Sequence, residues 1–311
     1  MPPRRPPIDG VLRVDKPRGP TSHDVVAAAR RALGQREVGH AGTLDPMATG
    51  VLVLMLGEAT KLSAHLSADD KAYDATVGFG AETDTLDAEG EVIARAPEGT
   101  LAPTRDAIEA ALAAMVGTIS QVPPVVSAIK VDGEAMHARA RRGEVVVPEA
   151  REVVLREAVV TAVRAEPPEC ALSVAVSKGF YVRSLARDLA LALGTRGHLT
   201  ALRRTRSGGF TLDGAFDGAA LMIAARGDDA MKDEVRAAVE GWSRAASWMP
   251  TATVDEETAR ALRFGRPVSA PPGVEGTCLV LDPSGAPVCV GGASDGTLRV
   301  LRGISATSPS C

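Results

Sequence analysis

Short apolar or alternating segments predict β-strands along the first 210 residues. These strands lie at residues 11–14, 51–56, 71–79, 127–131, 151–164, 171–178 and 199–205. Between them, apolar residues at helical spacing, bounded by capping residues and glycine, predict helices. The predicted helices lie at residues 21–34, 58–66, 104–115, 134–142 and 181–193. Hairpins mixed with helices indicate an α+β domain around a mixed, mostly antiparallel central sheet flanked by helices, not a regular βαβ repeat.

A second, smaller region begins near Pro250, which follows a long helical stretch. It contains a predicted helix at 255–264 and predicted strands at 277–282, 288–291 and 297–301, separated by Pro- and Gly-containing turns. These features indicate a small β-rich module. We therefore predict a disordered tail at residues 1–10, a main domain at 11–248, the module at 251–303 and a second tail at 304–311.

The composition favours a cytoplasmic protein without a membrane partner. The apolar run at 51–56 is far too short to cross a bilayer, and residues 1–7 lack the apolar core of a signal peptide. The four cysteines show neither CxxC spacing nor the density of a disulfide scaffold. Three of them are surrounded by apolar residues, and we interpret these as small core residues: Cys170, Cys278 and Cys289.

The net charge of −4 is distributed unevenly. Residues 66–109 carry eleven acidic and three basic side chains, whereas residues 178–206 carry seven basic side chains and one acidic side chain. A negative net charge by itself argues mildly against a nucleic-acid partner. Because the acidity is local, a basic surface that binds nucleic acid can coexist with it.

Signatures of several other function classes are absent from the sequence or lack their context. There is no GxxxxGK[ST] phosphate loop, no GxGxxG fingerprint and no HExxH pair, and the histidines lack metal-ligand spacing. Ser294 stands in a GxSxG match, but no substantial helix follows, so a turn between two strands is the favoured interpretation. Nothing in the sequence therefore requires a nucleotide, a redox cofactor or a metal.

Residues 39–52 form the most distinctive segment, with the sequence GHAGTLDPMATGVL. Glycine or proline recurs in it every three or four residues, at Gly39, Gly42, Pro46 and Gly50. Such a pattern shapes a backbone that a plain connector does not need. Asp45 lies inside it, just before the buried strand. From the pattern alone two interpretations stay open: a turn aspartate that accepts bonds from local amides, or a functional carboxylate.

This segment resembles the catalytic loop of the TruB-type tRNA pseudouridine synthases, whose pattern is approximately GHxGxLDPxATGVL. Five further segments resemble motifs of that family, in the family's order. They are DKPRGPTS at 15–22, KAY at 71–73 with Gly80 and TDTLD at 83–87, PP at 123–124 with SAIK at 127–130 and Gly133, SKGFYVRS at 177–184, and LRRTRSG at 202–208. The set is specific although each motif alone is weak.

The resemblance implies the residues that carry the chemistry. Asp45 matches the family's nucleophile, and Arg183 matches the arginine that pairs with it. A fork of donors beside a carboxylate suits that role. Tyr73 matches the tyrosine that stacks on the target base, and Tyr181 matches one that lines the pocket. They are the only two tyrosines in the chain, so neither belongs to a general aromatic core.

Further residues are expected to contact the substrate. His40 matches the residue that occupies the space left in the RNA after the base leaves, and Leu202 matches an apolar wall of the pocket. Lys16 and Lys130 belong to the first and third motifs and are assigned to substrate binding. The third motif also departs from many relatives, with Val126 and His137 where an aromatic residue is common.

The implied reaction converts uridine 55 in the T-loop of tRNA to pseudouridine. The ribose C1′–N1 bond breaks, the uracil turns, and it rejoins through C5. A carboxylate can form the transient covalent adduct, and the target base is extruded to reach it. The reaction is redox-neutral, so we expect no cofactor and no metal.

The resemblance also implies an architecture and partners. The main domain is expected to have the pseudouridine synthase fold, and the C-terminal module is expected to be a PUA-like RNA-binding domain. We expect tRNA as the partner, no obligate protein partner, and a monomer.

Other interpretations compete with this one. The first is a non-catalytic RNA-binding or RNA-folding protein on the same scaffold, which would have no need of Asp45, Tyr73 and Arg183 together. A guide-RNA-dependent relative is a second, and a hydrolase using Ser294 or Asp45 is a more distant third.

Overall fold

The computed structural model describes residues 6–66, 70–125, 130–131, 134–135, 149–242, 244, 247 and 249–305. Contacts within the chain divide it into two compact units. The first unit comprises Met1–Leu44, Val51–Ala68 and Gly208–Cys311. The second unit comprises Asp45–Gly50 and Asp69–Ser207. The contiguous ranges predicted for a main domain, a module and two tails stay predictions.

The strands of the described residues are β1 (Gly10–Lys16), β2 (Val38–His40), β3 (Thr49–Leu56), β4 (Lys71–Phe79), β5 (Ala81–Thr83), β6 (Val92–Arg95), β7 (Gly117–Gln121), β8 (Lys130–Val131), β9 (Glu134–Ala135), β10 (Arg151–Ala165), β11 (Pro168–Val176), β12 (Gly197–Ser207), β13 (Phe210–Thr211), β14 (Phe216–Asp217), β15 (Thr251–Thr253), β16 (Val268–Ser269), β17 (Gly276–Leu281), β18 (Pro287–Ser294) and β19 (Thr297–Gly303).

The α-helices of the described residues are α1 (Ser22–Leu33), α2 (Ser63–Leu66), α3 (Arg105–Met115), α4 (Val182–Ala192), α5 (Gly218–Ala224), α6 (Asp229–Ala237) and α7 (Glu256–Arg263). A 3-10 helix, Gly57–Leu62, precedes α2. The helix α1 begins at a capping box between Thr21 and Asp24 and ends at Gly34 in the left-handed conformation, as its sequence predicts.

In the first unit, β1 pairs with β14 in parallel, and β2 pairs with β3 in antiparallel. A separate five-stranded sheet has the order β15-β17-β18-β19-β16, with α7 packed against it. The predicted turn at Ser294 is confirmed, because Ser294 pairs with Thr297 across Asp295 and Gly296, which both have positive φ. This five-stranded sheet is the β-rich module that the sequence predicts.

In the second unit, five strands form a sheet with the order β12-β4-β11-β10-β7, and all their pairings are antiparallel. The first two residues of β3, Thr49 and Gly50, pair in parallel with Arg203 and Arg204 of β12. The helix α4 packs on β12, and α3 packs on β10. This mixture of hairpins and helices confirms the predicted α+β class.

Several element predictions are wrong in detail. The helix predicted at 134–142 is wrong where it is described, because Glu134 and Ala135 form β9, which pairs with β8. The rest of that prediction lies outside the described residues, as do positions Val126 and His137. Two elements were not predicted at all, namely β2 and the β5–β6 hairpin.

Candidate active site

Asp45 follows a residue that the first unit holds in place. Ser22, the first residue of α1, is 1% exposed. Its Oγ donates to the carbonyl oxygen of Leu44 at 3.0 Å and accepts from the Leu44 N–H at 2.8 Å. Both polar groups of the Leu44 backbone are thereby satisfied by one hydroxyl, so the residue before Asp45 is held in place within the first unit.

The loop leaves Asp45 through a tight turn and a close strand contact. The N–H of Ala48 donates to the Asp45 carbonyl oxygen at 3.1 Å. Gly50 then adopts a φ of +102°, and a Cβ there would overlap the carbonyl oxygen of Arg204 on β12. Only glycine meets both conditions, so the glycine spacing in this segment sets the position of the loop against β12.

Arg183 binds the Asp45 carboxylate side-on with two contacts. Its Nε lies 3.0 Å from Asp45 Oδ2, and its Nη2 donates to Oδ1 at 3.2 Å. The arginine side chain is 6% exposed, whereas the aspartate side chain is 33% exposed. A buried guanidinium therefore pairs the charge of the carboxylate and fixes its orientation, while the carboxylate stays accessible to a reactant. The predicted pairing of these two residues corresponds to this contact.

A second carboxylate, which the sequence did not single out, holds the other edge of Arg183. Asp87 Oδ2 lies 3.4 Å from Arg183 Nη1, which also donates to the carbonyl oxygen of Thr85 at 2.9 Å. The Asp87 side chain is 5% exposed. Its Oδ1 accepts from Thr85 Oγ1 at 2.7 Å and from the Glu89 N–H at 3.0 Å. Asp87 is thus itself fixed, and it orients the arginine that orients Asp45.

The turn that carries Asp87 is strained at the preceding residue. Leu86 has a φ of 61°, in the left-handed region that side chains with a Cβ rarely adopt, and it is 5% exposed. Burial of its side chain keeps it in this conformation. The turn therefore presents the Thr85 carbonyl and the Asp87 carboxylate on the same side, towards Arg183.

Tyr73 and Leu202 lie on adjacent strands of the second unit. In the pairing of β4 with β12, Tyr73 is opposite Arg204 and Ala75 is opposite Leu202, so the side chains of Tyr73 and Leu202 share one face of the sheet. Tyr73 is 9% exposed and Leu202 is 8% exposed. Tyr181 is the N-cap residue of α4, two residues before Arg183. The second unit thus contains Asp45, Tyr73, Tyr181, Arg183 and Leu202, and its range also includes Lys130.

The other predicted contacts to the substrate lie elsewhere in the chain. His40 is the last residue of β2, and its ring lies edge-on to that of His23, with centroids 5.5 Å apart. Lys16 is fully buried at the end of β1 and donates to the carbonyl oxygen of Pro17. Lys130 is the first residue of β8. The roles assigned to these three residues stay predictions.

Within the part of the chain that the structure describes, no group of three or more His, Cys, Asp or Glu side chains is arranged to hold a metal ion. The described helices also include none with the length and apolar character needed to span a bilayer.

The fold can be compared with those of solved structures. It resembles the solved structures of a Cbf5–Nop10–Gar1 complex and of an H/ACA RNP bound to a substrate RNA containing 2′-deoxyuridine. The TM-score is 0.72 in both comparisons, with 24% and 22% identity respectively, over 96% of this chain and 84% and 85% of the other chains. This likeness shows the fold, and it confirms the predicted pseudouridine synthase fold.

Sequence comparison then gives the family. The family described as TruB family pseudouridylate synthase (N terminal domain) matches residues 30–182, and the tRNA pseudouridylate synthase B C-terminal domain matches residues 183–240. The chain belongs to the TruB family of pseudouridylate synthases, which confirms the resemblance inferred from its motifs and the predicted enzyme class, an isomerase.

Curated relatives agree with this membership. The chain is 47% identical to tRNA pseudouridine synthase B of Nocardia farcinica (strain IFM 10152), over 91% of this chain and 89% of the relative. It is 47% identical to the enzyme of the same name from Arthrobacter sp. (strain FB24), over 85% and 83%. The enzyme of that name from Thermobifida fusca (strain YX) is 52% identical over 67% and 72%.

Proposed function

We propose that this protein converts uridine 55 in the T-loop of tRNA to pseudouridine, with Asp45 as the nucleophile. The observation that carries the proposal is the side-on pair between Asp45 and Arg183, in which the carboxylate is partly exposed and the guanidinium is buried. Family membership and the names of the relatives support tRNA as the substrate.

The chemistry requires a nucleophile that can also leave. Asp45 forms a bond either to ribose C1′, which releases the uracil, or to the base, which weakens the C1′–N1 bond. On both routes the C1′–N1 bond breaks, a C1′–C5 bond forms, the C5 hydrogen leaves as a proton, N1 takes up a proton, and the carboxylate is regenerated. Electrons are neither gained nor lost overall, so the residues of the chain and water suffice for this balance.

Arg183 stabilises the Asp45 carboxylate both before it attacks the substrate and after it is released. Asp45 carries a charge before attack and after release, but not while it is bound covalently to the substrate. During that interval Arg183 still contacts Asp87 and the Thr85 carbonyl, so it keeps its position. A fixed guanidinium then receives the carboxylate again without reorganisation, which is how preorganised charges favour catalysis.

The remaining residues bind the extruded base and the RNA around it. Tyr73 provides a ring on which the uracil stacks, Leu202 and Tyr181 line the pocket, and His40 fills the space in the RNA that the base leaves. Lys130 contributes a charged contact to the substrate, whereas Lys16 is fully buried and has no direct contact with the RNA in this proposal. The shared face of Tyr73 and Leu202 on adjacent strands supports a common wall for the base.

The C-terminal sheet extends the contact with RNA as a PUA-like module. Its surface includes Phe264, which is 75% exposed, and the exposed Arg266 two residues later. An exposed aromatic ring and an arginine provide the stacking and phosphate contacts that RNA-binding surfaces use. Our proposal includes tRNA as the partner, no obligate protein partner, a monomer, and action in the cytoplasm.

The test is to incubate the purified protein with unmodified tRNA and map pseudouridine by sequencing. We expect modification at position 55 by the parent protein and none by Asp45→Asn, because an amide of nearly the same shape cannot act as the nucleophile. The variant should still bind tRNA, which a filter-binding assay would show. If Asp45→Asn modified tRNA at a rate near that of the parent, Asp45 would not be the nucleophile. If neither protein formed pseudouridine, the result would favour the alternative of a non-catalytic RNA-folding protein.

A further inference from the structure

The side chain of Gln121 holds the backbone of Tyr181. Gln121 is the last residue of β7, opposite Arg151 of β10, and it is 1% exposed. Its Nε2 donates to the Tyr181 carbonyl oxygen at 3.0 Å, and the Tyr181 N–H donates to its Oε1 at 2.7 Å. Both polar ends of one amide therefore bind the backbone of a single residue, and only a side chain with a donor and an acceptor side by side can do this.

This contact lies at the start of the helix that carries Arg183. Tyr181 is the N-cap residue of α4, and tyrosine is not among the side chains that cap helices well. Within the described residues its side chain makes no capping bond to the helix. Gln121 instead fixes the N-cap backbone from the neighbouring strand, and so determines where α4 begins.

Two further hydrogen bonds join α4 to Val122, the residue that follows Gln121 in the chain. Ser184 Oγ donates to the Val122 carbonyl oxygen at 2.8 Å, and Arg187 Nη2 donates to it at 3.2 Å. These bonds do not involve the Gln121 side chain, so they persist when that side chain is changed. A change at Gln121 should therefore displace residue 181 more than it displaces the rest of α4.

We propose that Gln121 is a positioning residue of this enzyme, whose amide sets the orientation of Tyr181 and of the first turn of α4. The inference rests on the proposed function, in which Tyr181 lines the pocket for the target base. A misplacement of about 1 Å at a reacting centre can cost on the order of 100-fold in rate. Affinity for RNA depends mainly on phosphate contacts, so the chemical step should suffer more than tRNA binding.

Two substitutions, Gln121→Glu and Gln121→Met, distinguish the effect of the hydrogen bonds of the Gln121 amide from the effect of its size. In Gln121→Glu, an ionised carboxylate repels the Tyr181 carbonyl, whereas a protonated one donates and accepts as the amide does. Burial raises the pKa of carboxyl groups, which makes the protonated form accessible in mildly acidic solution. We expect the single-turnover rate of Gln121→Glu, relative to the parent, to be about one-tenth or less at about pH 8 and several-fold higher at about pH 6. Gln121→Met should be slow at both pH values.

Gln35 provides a matched control because it makes the same contact with the backbone of Ile8. The Ile8 N–H donates to Gln35 Oε1 at 2.9 Å, and Gln35 Nε2 donates to the Ile8 carbonyl oxygen at 3.1 Å. Gln35→Glu should lower Tm while its relative rate stays near one at both pH values. A relative rate for Gln121→Glu that is near one, or that does not change with pH, would overturn the proposal. Failure of the parent protein to form pseudouridine would instead refute the proposed function.

Discussion

Arg183 contacts two carboxylates whose surroundings differ. The side chain of Asp45 is 33% exposed, whereas that of Asp87 is 5% exposed. A guanidinium has five N–H donors in one rigid plane, so it can bind both carboxylates and the Thr85 carbonyl together. The exposed carboxylate is the one that a substrate can reach, and the buried one fixes the arginine.

Arg183→Lys should abolish most of the activity although it keeps the charge. An ammonium is a point charge on a flexible stem, so it cannot hold Asp45 side-on and reach Asp87 and Thr85 as well. We expect the single-turnover rate to fall by about 100-fold or more, with tRNA affinity within a few-fold of the parent. Tritium release from C5-labelled uridine measures the rate. A rate close to that of the parent would show that the side-on geometry is unimportant.

Asp87→Asn tests whether the buried carboxylate acts through Arg183. The amide keeps the shape but removes the charge next to Nη1, so Arg183 should be held less firmly, with a loss of about 10-fold or more in rate. In the double variant with Arg183→Lys, the two losses should not add, because residues that act as one unit lose their effect together. Additive losses would indicate that Asp87 acts independently of Arg183.

At the residue scale, a family motif was enough to indicate candidate site residues. Contacts that arise only when the chain folds could not be predicted in this way. The motif resemblance indicated Asp45 and Arg183. The interpretation of Cys170, Cys278 and Cys289 as core residues is confirmed, since all three are buried. Burial also raises the pKa of the Cys170 thiol to about 12 and that of the Cys289 thiol to about 11. Asp87 stands among several acidic residues of an acidic segment. The sequence does not reveal that the turn at Leu86 points this carboxylate inward.

At the scale of elements, β3 and β12 bring their backbones together at one point. Thr49 and Gly50 pair with Arg203 and Arg204, only a few residues after Asp45. The parallel pairing follows directly on the turn at Ala48. The position of the loop at residues 45–50 therefore depends on how closely these two strands approach.

Gly50→Ala should disturb this approach more than an ordinary glycine substitution would. The added Cβ would meet the Arg204 backbone, and the φ of +102° adds strain, so we expect a loss of about 1–3 kcal/mol or more in stability together with a lower rate. Gly34→Ala is the control, because Gly34 also has a positive φ, of +67°, but open space around its Cβ position. Thermal unfolding and single-turnover rates distinguish the two. Equal effects would mean that the close contact with β12 is unimportant.

Elements with strong periodicity were predicted well, and short ones were not. The sequence after Gly133 has the polar and alanine-rich pattern of a helix, yet its first two described residues pair as β9 with β8. The strands of the β5–β6 hairpin have only three and four residues, too few to show an apolar alternation. In both places, pairing with a neighbouring strand outweighs local preference.

At the scale of the molecule, the C-terminal sheet shares a hydrophobic core with the rest of the first unit. Leu279, Val290 and Ile304 pack in one cluster with residues of β1 and β3, including Val11 and Val53. The 3-10 helix after β3 also contacts the last residue of β19, because Lys61 Nζ donates to the Gly303 carbonyl oxygen at 2.9 Å. The strand and turn pattern after Pro250 predicts a β-rich module, whereas long-range packing of this kind is invisible in local sequence patterns.

The shared core predicts the outcome of removing this sheet. A chain that ends at Pro250 would expose the apolar side chains of β1 and β3 that Leu279, Val290 and Ile304 cover. Full burial of each such side chain contributes about 1.5–3 kcal/mol, so the loss should amount to a large part of a total stability of about 5–15 kcal/mol. We expect the first unit of the truncated protein to unfold, as measured by circular dichroism, and Leu44 to lose its anchor at Ser22.

A pair of single substitutions tests the same prediction without removing the C-terminal sheet. Ile304 is 5% exposed in the shared core, and Leu301, three residues earlier on β19, is 58% exposed. Ile304→Ala should cost about 2–5 kcal/mol, whereas Leu301→Ala should stay within about 0.5 kcal/mol of the parent. The prediction is wrong if both variants have the Tm of the parent and the truncated chain keeps its circular dichroism spectrum and its rate on a T-arm hairpin. In that case the sheet is an independent module, and the shared core does not stabilise the first unit.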